Sequence, residues 1–120
     1  MKKILATTIL ISFISQPLIA RDEYDRTFDS IYTTQKIYYS LDKRLNKIFA
    51  KLKGKLSTRG KKVLMKSENE WVYKRDHTCA FPRTNSVNVQ CAVSETKIRL
   101  HFLEDRVREC EELQCRIDRL

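Results

Sequence analysis

Leu41, Leu45, Ile48, Phe49, Leu52 and Leu56 recur at steps of three and four, the spacing that sets apolar side chains on one face of an α-helix. Upstream, Phe28, Ile31, Tyr32, Ile37 and Tyr38 extend the stripe less regularly, so the pattern predicts a first helix from about Asp25 to Leu56. Gly54 and the run Ser57-Thr58-Arg59-Gly60 mark its end. Ser57 or Thr58 is placed to accept hydrogen bonds from the first free amides of a second helix. That helix, from about Arg59 to His77, carries Leu64, Glu68, Trp71, Arg75 and Thr78 along one face. Pro82, Arg83, Thr84, Asn85, Ser86 and Asn88 then form a loop, with Pro82 excluding a continuous helix. Beyond Cys91, Val93, Thr96, Leu100, Leu103, Val107, Cys110, Gln114 and Ile117 alternate steps of three and four, which predicts a long third helix. Only Ser86 to Val93 has strand character, and it is too short to sustain a sheet. The expected fold is all-α: a helical hairpin, a loop, and a long third helix.

The first residues follow a different pattern. Met1-Lys2-Lys3 leads into a mostly apolar run from Ile4 to Ile14, and Pro17-Leu18-Ile19-Ala20 precedes the first charge at Arg21. This reads as a secretory signal peptide over residues 1–20, cleaved after Ala20. The run is interrupted by Thr7, Thr8 and Ser12, whereas a membrane span needs about 20 predominantly apolar residues, so no integral span is expected after cleavage. No cysteine follows the run to carry a lipid anchor. The expected product is a single domain over residues 21–120, periplasmic or secreted.

Charge changes the picture of the hairpin. Of the 24 Lys and Arg, Lys2 and Lys3 leave with the leader, so 22 bases face 15 acids, a net charge of +7. Lys51, Lys53, Lys55, Arg59, Lys61, Lys62 and Lys66 lie in one stretch with no acid among them, so its seven bases match the whole net charge. The predicted helices place this cluster at the hairpin turn. There it is either a solvated, solubilising surface or a site for an anionic polymer or an acidic protein, weakened by salt in either case. Nucleic acid is disfavoured as a partner, because the cluster lacks interleaved aromatics and export removes the chain from the cytoplasm.

Four cysteines remain in the exported part: Cys79, Cys91, Cys110 and Cys115. An even count in an oxidising compartment suggests two disulfides, with three possible pairings. Zinc is the competing reading, with His77, Cys79, Cys91 and His101 as ligands, but the paired ligand spacing of a zinc ribbon or finger is absent. Catalysis finds no support. His77 and Asp76 adjoin in sequence and point in different directions on a helix, no nucleophile is placed to meet them, and Glu68 and Glu70 form no glycosidase pair. Two glycines leave no phosphate-cradling loop, and no cofactor is expected.

The pattern Asp42, Leu45-Asn46, Phe49, then Gly60-Lys61-Lys62, Leu64, Ser67, Trp71, Arg75-Asp76 and Cys79, continued by Cys91, Thr96, Arg99 and Leu103, resembles the lysozyme-inhibitor LprI-like family. The resemblance runs from about Phe28 to Leu103, leaving 104–120 as a helical extension. The chain departs from that family in lacking an N-terminal cysteine pair, with Thr33 where one partner would stand, and in carrying Glu68 in place of the usual glutamine. Beside this resemblance, Asp42, Asn46, Trp71, Arg75 and Asp76 read as a structural motif. Trp71 would fill the hairpin core, and Arg75 would pair with Asp42 across it. Cys79 with Cys91 is the favoured disulfide, closing a 13-residue loop worth about 3 kcal/mol in the chain-entropy model. Cys110 with Cys115 is the second. Residues five apart in an intact helix lie about 8 to 9 Å apart at Cα, beyond the roughly 7 Å limit for a disulfide. That bridge therefore needs a helix break near Glu111-Glu112; the alternatives are a reduced pair or an intermolecular bridge.

The resemblance implies an exported binding protein that inhibits lysozyme; occluding a cleft whose catalytic groups are carboxylates would make a basic residue between Lys51 and Lys62 the expected inserted group. The alternative is an envelope-associated adaptor whose basic tip contacts lipopolysaccharide, peptidoglycan or an acidic envelope protein.

Overall fold

The computed structural model describes residues 19–120. The expected signal peptide therefore lies outside the described residues, apart from Ile19 and Ala20. Three helices follow in order: α1 (Ile19–Lys55), α2 (Thr58–Cys79) and α3 (Val89–Glu112). A single 3-10 turn, Ile117–Arg119, closes the chain. No strand forms among the described residues; the loop between α2 and α3 holds one isolated antiparallel bridge, Ala80 to Val87.

The helix ends follow local chemistry. Ser57 caps α2 by accepting from the Gly60 amide at 3.2 Å, which selects it over Thr58 as the cap. Asn88 caps α3 by accepting from the Cys91 amide at 3.0 Å, so α3 begins before Cys91. Gly54, expected to mark the end of α1, lies inside it: the position is exposed, and nothing stands within 4 Å of where a Cβ would sit. The break falls instead at Leu56-Ser57. The expectation that Gln114 and Ile117 continue the third helix is also corrected. α3 stops at Glu112, where the Leu113 amide bonds to the Glu109 carbonyl and the chain turns.

α1 and α3 run parallel, with α2 returning between their ends. Arg44 pairs with Glu104 and Lys51 with Glu111, so a residue of α1 lies level with the residue 60 places further on. The core follows the apolar stripes. Leu45, Leu52 and Leu56 meet Leu64 from α2 and Leu100, Leu103 and Val107 from α3, with Leu41, Ile48, Phe49, Trp71 and Phe102 packed around them. The same register explains why the upstream stripe stays open. Val89, the first residue of α3, falls level with residue 29 of α1 (89 less 60), so only the margin of α3 reaches Ile31 and Tyr32. Both are about half exposed, at 53% and 51%.

Two disulfides staple the helix ends. Cys79–Cys91, with Cα atoms 5.4 Å apart, ties the end of α2 to the first turn of α3. Cys110–Cys115, at 4.1 Å, spans the end of α3, and the helix break the sequence required is the one at Glu112. Both favoured pairings are formed.

Candidate functional site

The basic residues gather where α1 hands over to α2. Lys51, Lys53 and Lys55 lie on the last turns of α1, and Arg59, Lys61 and Lys62 on the first turn of α2. They are not equivalent. Glu111, near the end of α3, accepts from the Lys51 ammonium at 2.8 Å and the Lys55 ammonium at 3.2 Å. These two contacts, Lys51 first, hold its carboxyl below the usual carboxylate range against a smaller opposing cost of desolvation. Arg59, Lys61 and Lys62 are exposed and make no salt bridge among the described residues, and Lys53 is half-buried and makes none either. The turn thus presents three exposed unpaired cations beside the half-buried Lys53, with Lys51 and Lys55 occupied by an acid the sequence places far away. Exposed cations of this kind can donate charge-assisted hydrogen bonds to an anion.

The end of the chain folds back onto this turn. The Cys115 sulfur lies 3.6 Å from the Lys55 carbonyl oxygen, and Ile117 Cγ1 approaches the site where Gly60 would carry a Cβ at 3.4 Å. Glu109 fastens the segment, pairing with Arg119 at 2.7 Å and with Arg106 at 3.1 Å. Between the tail and the first turn of α2 runs an open groove of about 660 Å³ lined by Arg59, Val63, Gln114, Cys115, Arg116, Ile117 and Asp118. Arg116 and Asp118, both on the tail, pair with each other on its side of the groove at 2.8 Å. Their mutual hydrogen bond lowers the Asp118 carboxyl and raises the Arg116 guanidinium relative to their ordinary values.

The stretch from Trp71 to Cys79 forms a second cluster at mid-bundle. Trp71 packs against the core, with the Arg75 guanidinium 4.9 Å and the Arg99 guanidinium 5.9 Å from its ring. Arg75 also lies 5.9 Å from the Tyr38 ring, which lets α1 and α2 share a cation. The expected Arg75–Asp42 pair does not form. Arg75 donates to its neighbour Asp76 at 2.9 Å, while Asp42 accepts from Asn46 at 3.3 Å one turn along α1. Each charge is taken instead by a neighbour on its own helix. His77 is exposed and stacks on Tyr73 at 4.1 Å. The zinc alternative falls, because Cys79 and Cys91 are joined to each other and are no longer thiolates.

Sequence reasoning missed the buried ion pair between α2 and α3. Arg99, only 7% exposed, donates to Glu68 at 2.9 and 2.8 Å and to Ser67 at 3.1 Å, with its guanidinium 5.0 Å from the Phe102 ring. A signal was present. Glu68 sits on the inward stripe of the second helix, and Arg99 lies between Thr96 and Leu103 on that of the third, so two opposite charges occupy facing core positions. The Glu111 clamp and the Arg116 groove carried no such signal, since both depend on the register of α3 and on the fold-back of the tail.

No curated protein and no solved structure matches the chain. The family model described as lysozyme inhibitor LprI matches residues 20–103, a span that includes α2 whole, all but the first residue of α1, and α3 as far as Leu103, and that leaves out the Cys110–Cys115 staple and the tail. With the match covering most of its length, the chain belongs to the lysozyme inhibitor LprI family.

Proposed function

We propose that the protein is an exported inhibitor that binds a lysozyme and occludes its cleft with the turn between α1 and α2. The observation that carries this reading is the set of three exposed, unpaired cations, Arg59, Lys61 and Lys62, on a turn held rigid by the Ser57 cap and the buried Gly60. A glycosidase cleft of this kind is organised around a pair of carboxylates. A cation delivered by a preorganised turn gains most there, where water is excluded and little ordering remains to be done. Family membership names the target class, and two disulfides suit the oxidising space outside the cytoplasm. Among the described residues no helix is long and apolar enough to cross a membrane.

The test is the clearing of a cell-wall suspension by lysozyme, followed by turbidity with and without the mature chain. Inhibition is expected, and expected to be lost when Arg59, Lys61 and Lys62 are all changed to Glu. Clearing unaffected by micromolar wild-type protein removes the lysozyme reading for that enzyme. Equal inhibition by the charge-reversed variant removes the basic turn as the inserted element. Binding of the wild type to lipopolysaccharide or peptidoglycan in place of lysozyme turns the same surface into that of an envelope adaptor.

A further inference from the structure

We propose that Arg116, assisted by Arg59, is a carboxylate-reading residue for an acidic peptide segment of a partner protein, and that Asp118 is an internal placeholder which the partner's carboxylate displaces. The groove between α2 and the tail combines two guanidiniums with an apolar floor from Val63, Ile117 and Cys115. That mixture suits an acidic side chain beside an apolar one; a phosphate-rich polymer would use the cationic rim and leave the floor uncovered. A carboxylate already sits in place. Asp118 meets Arg116 through two oxygens, 2.8 Å from Nη2 and 3.5 Å from Nε, the forked contact that guanidinium makes with a planar carboxylate.

The placeholder is easily exchanged. Both side chains are more than half exposed, at 56% and 66%, and ion pairs of that kind contribute little to stability. The frame around them is firm, because the tail is tied down by Cys110–Cys115, by Arg119 on Glu109 and by Ile117 against Gly60. An incoming acid therefore replaces one weak pair with another in a site that does not have to be built. The groove also lies largely on residues beyond the 20–103 family match, so it is a property of this chain's own tail.

The experiment uses the mature chain and a fluorescent peptide of alternating glutamate and leucine, read by anisotropy at low salt, with no lysozyme present. Its outcome is thereby separable from that of the clearing assay. The wild type is expected to bind, and Arg116→Gln to weaken binding by about fivefold, as loss of one exposed charge pair allows. Asp118→Asn, which removes the competitor, should tighten binding by about threefold on the same scale. A merely structural pair would give no gain in the second variant. The proposal is overturned if Asp118→Asn binds no better than wild type, if Arg116→Gln is unchanged, or if the glutamine-for-glutamate peptide binds equally. It is overturned likewise if lipopolysaccharide vesicles bind and the peptide does not. Thermal melts by circular dichroism confirm that both variants remain folded.

Discussion

Changing Glu68 to Ala should destabilise the protein by stranding the charge of Arg99. Arg99 is 7% exposed and meets a carboxylate of α2 through the 2.9 and 2.8 Å contacts with Glu68; Ser67 adds one neutral partner at 3.1 Å. Removing one member of a buried pair leaves the other charge uncompensated, which costs about 3 to 5 kcal/mol. Glu68 keeps 17% of its side chain at the surface, so water can partly replace it and the lower end, about 3 kcal/mol, is expected. For a chain of this size each kcal/mol moves the melting temperature by about 4 to 8 °C, so the shift should exceed about 10 °C. Urea unfolding followed at 222 nm, disulfides intact, measures it directly. The double variant Glu68→Met, Arg99→Met then discriminates between an unpaired charge and lost packing. It should recover most of the loss, since replacing both members by apolar side chains of similar length is near neutral. A loss under about 1 kcal/mol for Glu68→Ala would mean that the pair is screened like a surface bridge. A double variant as unstable as the single one would show that the guanidinium matters through its contacts with Trp71 and Phe102.

Gly54→Ala, at an exposed helical site with nothing within 4 Å of the new methyl, should stabilise the chain by about 0.5 to 1 kcal/mol in the same unfolding assay. Gly60→Ala should fail to show that gain, because its Cβ would meet Leu56 Cβ at 3.1 Å and Cδ2 at 3.2 Å in a buried turn. Replacing Cys79 and Cys91 by Ser should cost about 3 kcal/mol, the closure entropy of their loop, with the α2 end and the loop gaining hydrogen exchange first. Glu111 has a folded-state pKa held below its ordinary 4.5 by Lys51 and then Lys55, so its contribution is present above 4.5 and lost as pH falls through the lowered value. The stability difference between wild type and Glu111→Gln should accordingly be largest near neutral pH and vanish in acid; a difference that persists unchanged at the lowest pH would refute the clamp.

The legible part of the fold was the part written in periodic apolar positions. Leu45, Leu52, Leu64, Leu100 and Leu103, all picked out by three- and four-residue steps, are the core. The resemblance beside those stripes named the family, and the break demanded by Cys110 and Cys115 appears at Glu112. Periodicity misled where it ran past that break, because Gln114 and Ile117 continue the count without continuing the helix. It was also uninformative about charges. Arg75 and Asp42 looked like partners since both belong to one motif, yet i, i+1 and i, i+4 neighbours captured each of them first. Long-range pairs such as Arg99 with Glu68 need two helix phases read together, and the inward placement of both charges was the available signal.

The same register decides which charges of the turn are free to act. Seven bases between Lys51 and Lys66 repel one another, and no acid within that stretch relieves them. Relief comes from α3, whose parallel course beside α1 brings Glu111 level with Lys51 and within reach of Lys55 one turn later. Arg59, Lys61 and Lys62 at the start of α2 receive no such partner among the described residues, since α3 has already ended and the tail that crosses their turn brings Asp118, itself held by Arg116. A shift of α3 by one turn toward its C-terminus would bring Glu111 level with Lys55 and nearer to Arg59, on the surface on which binding is proposed to depend. The Cys110–Cys115 staple sits where it would oppose that shift, tying the last turn of α3 to a segment seated against Lys55 and Gly60. Serine at both positions should increase the salt dependence of stability and reduce binding through the turn, even where the loss in unfolding free energy is small.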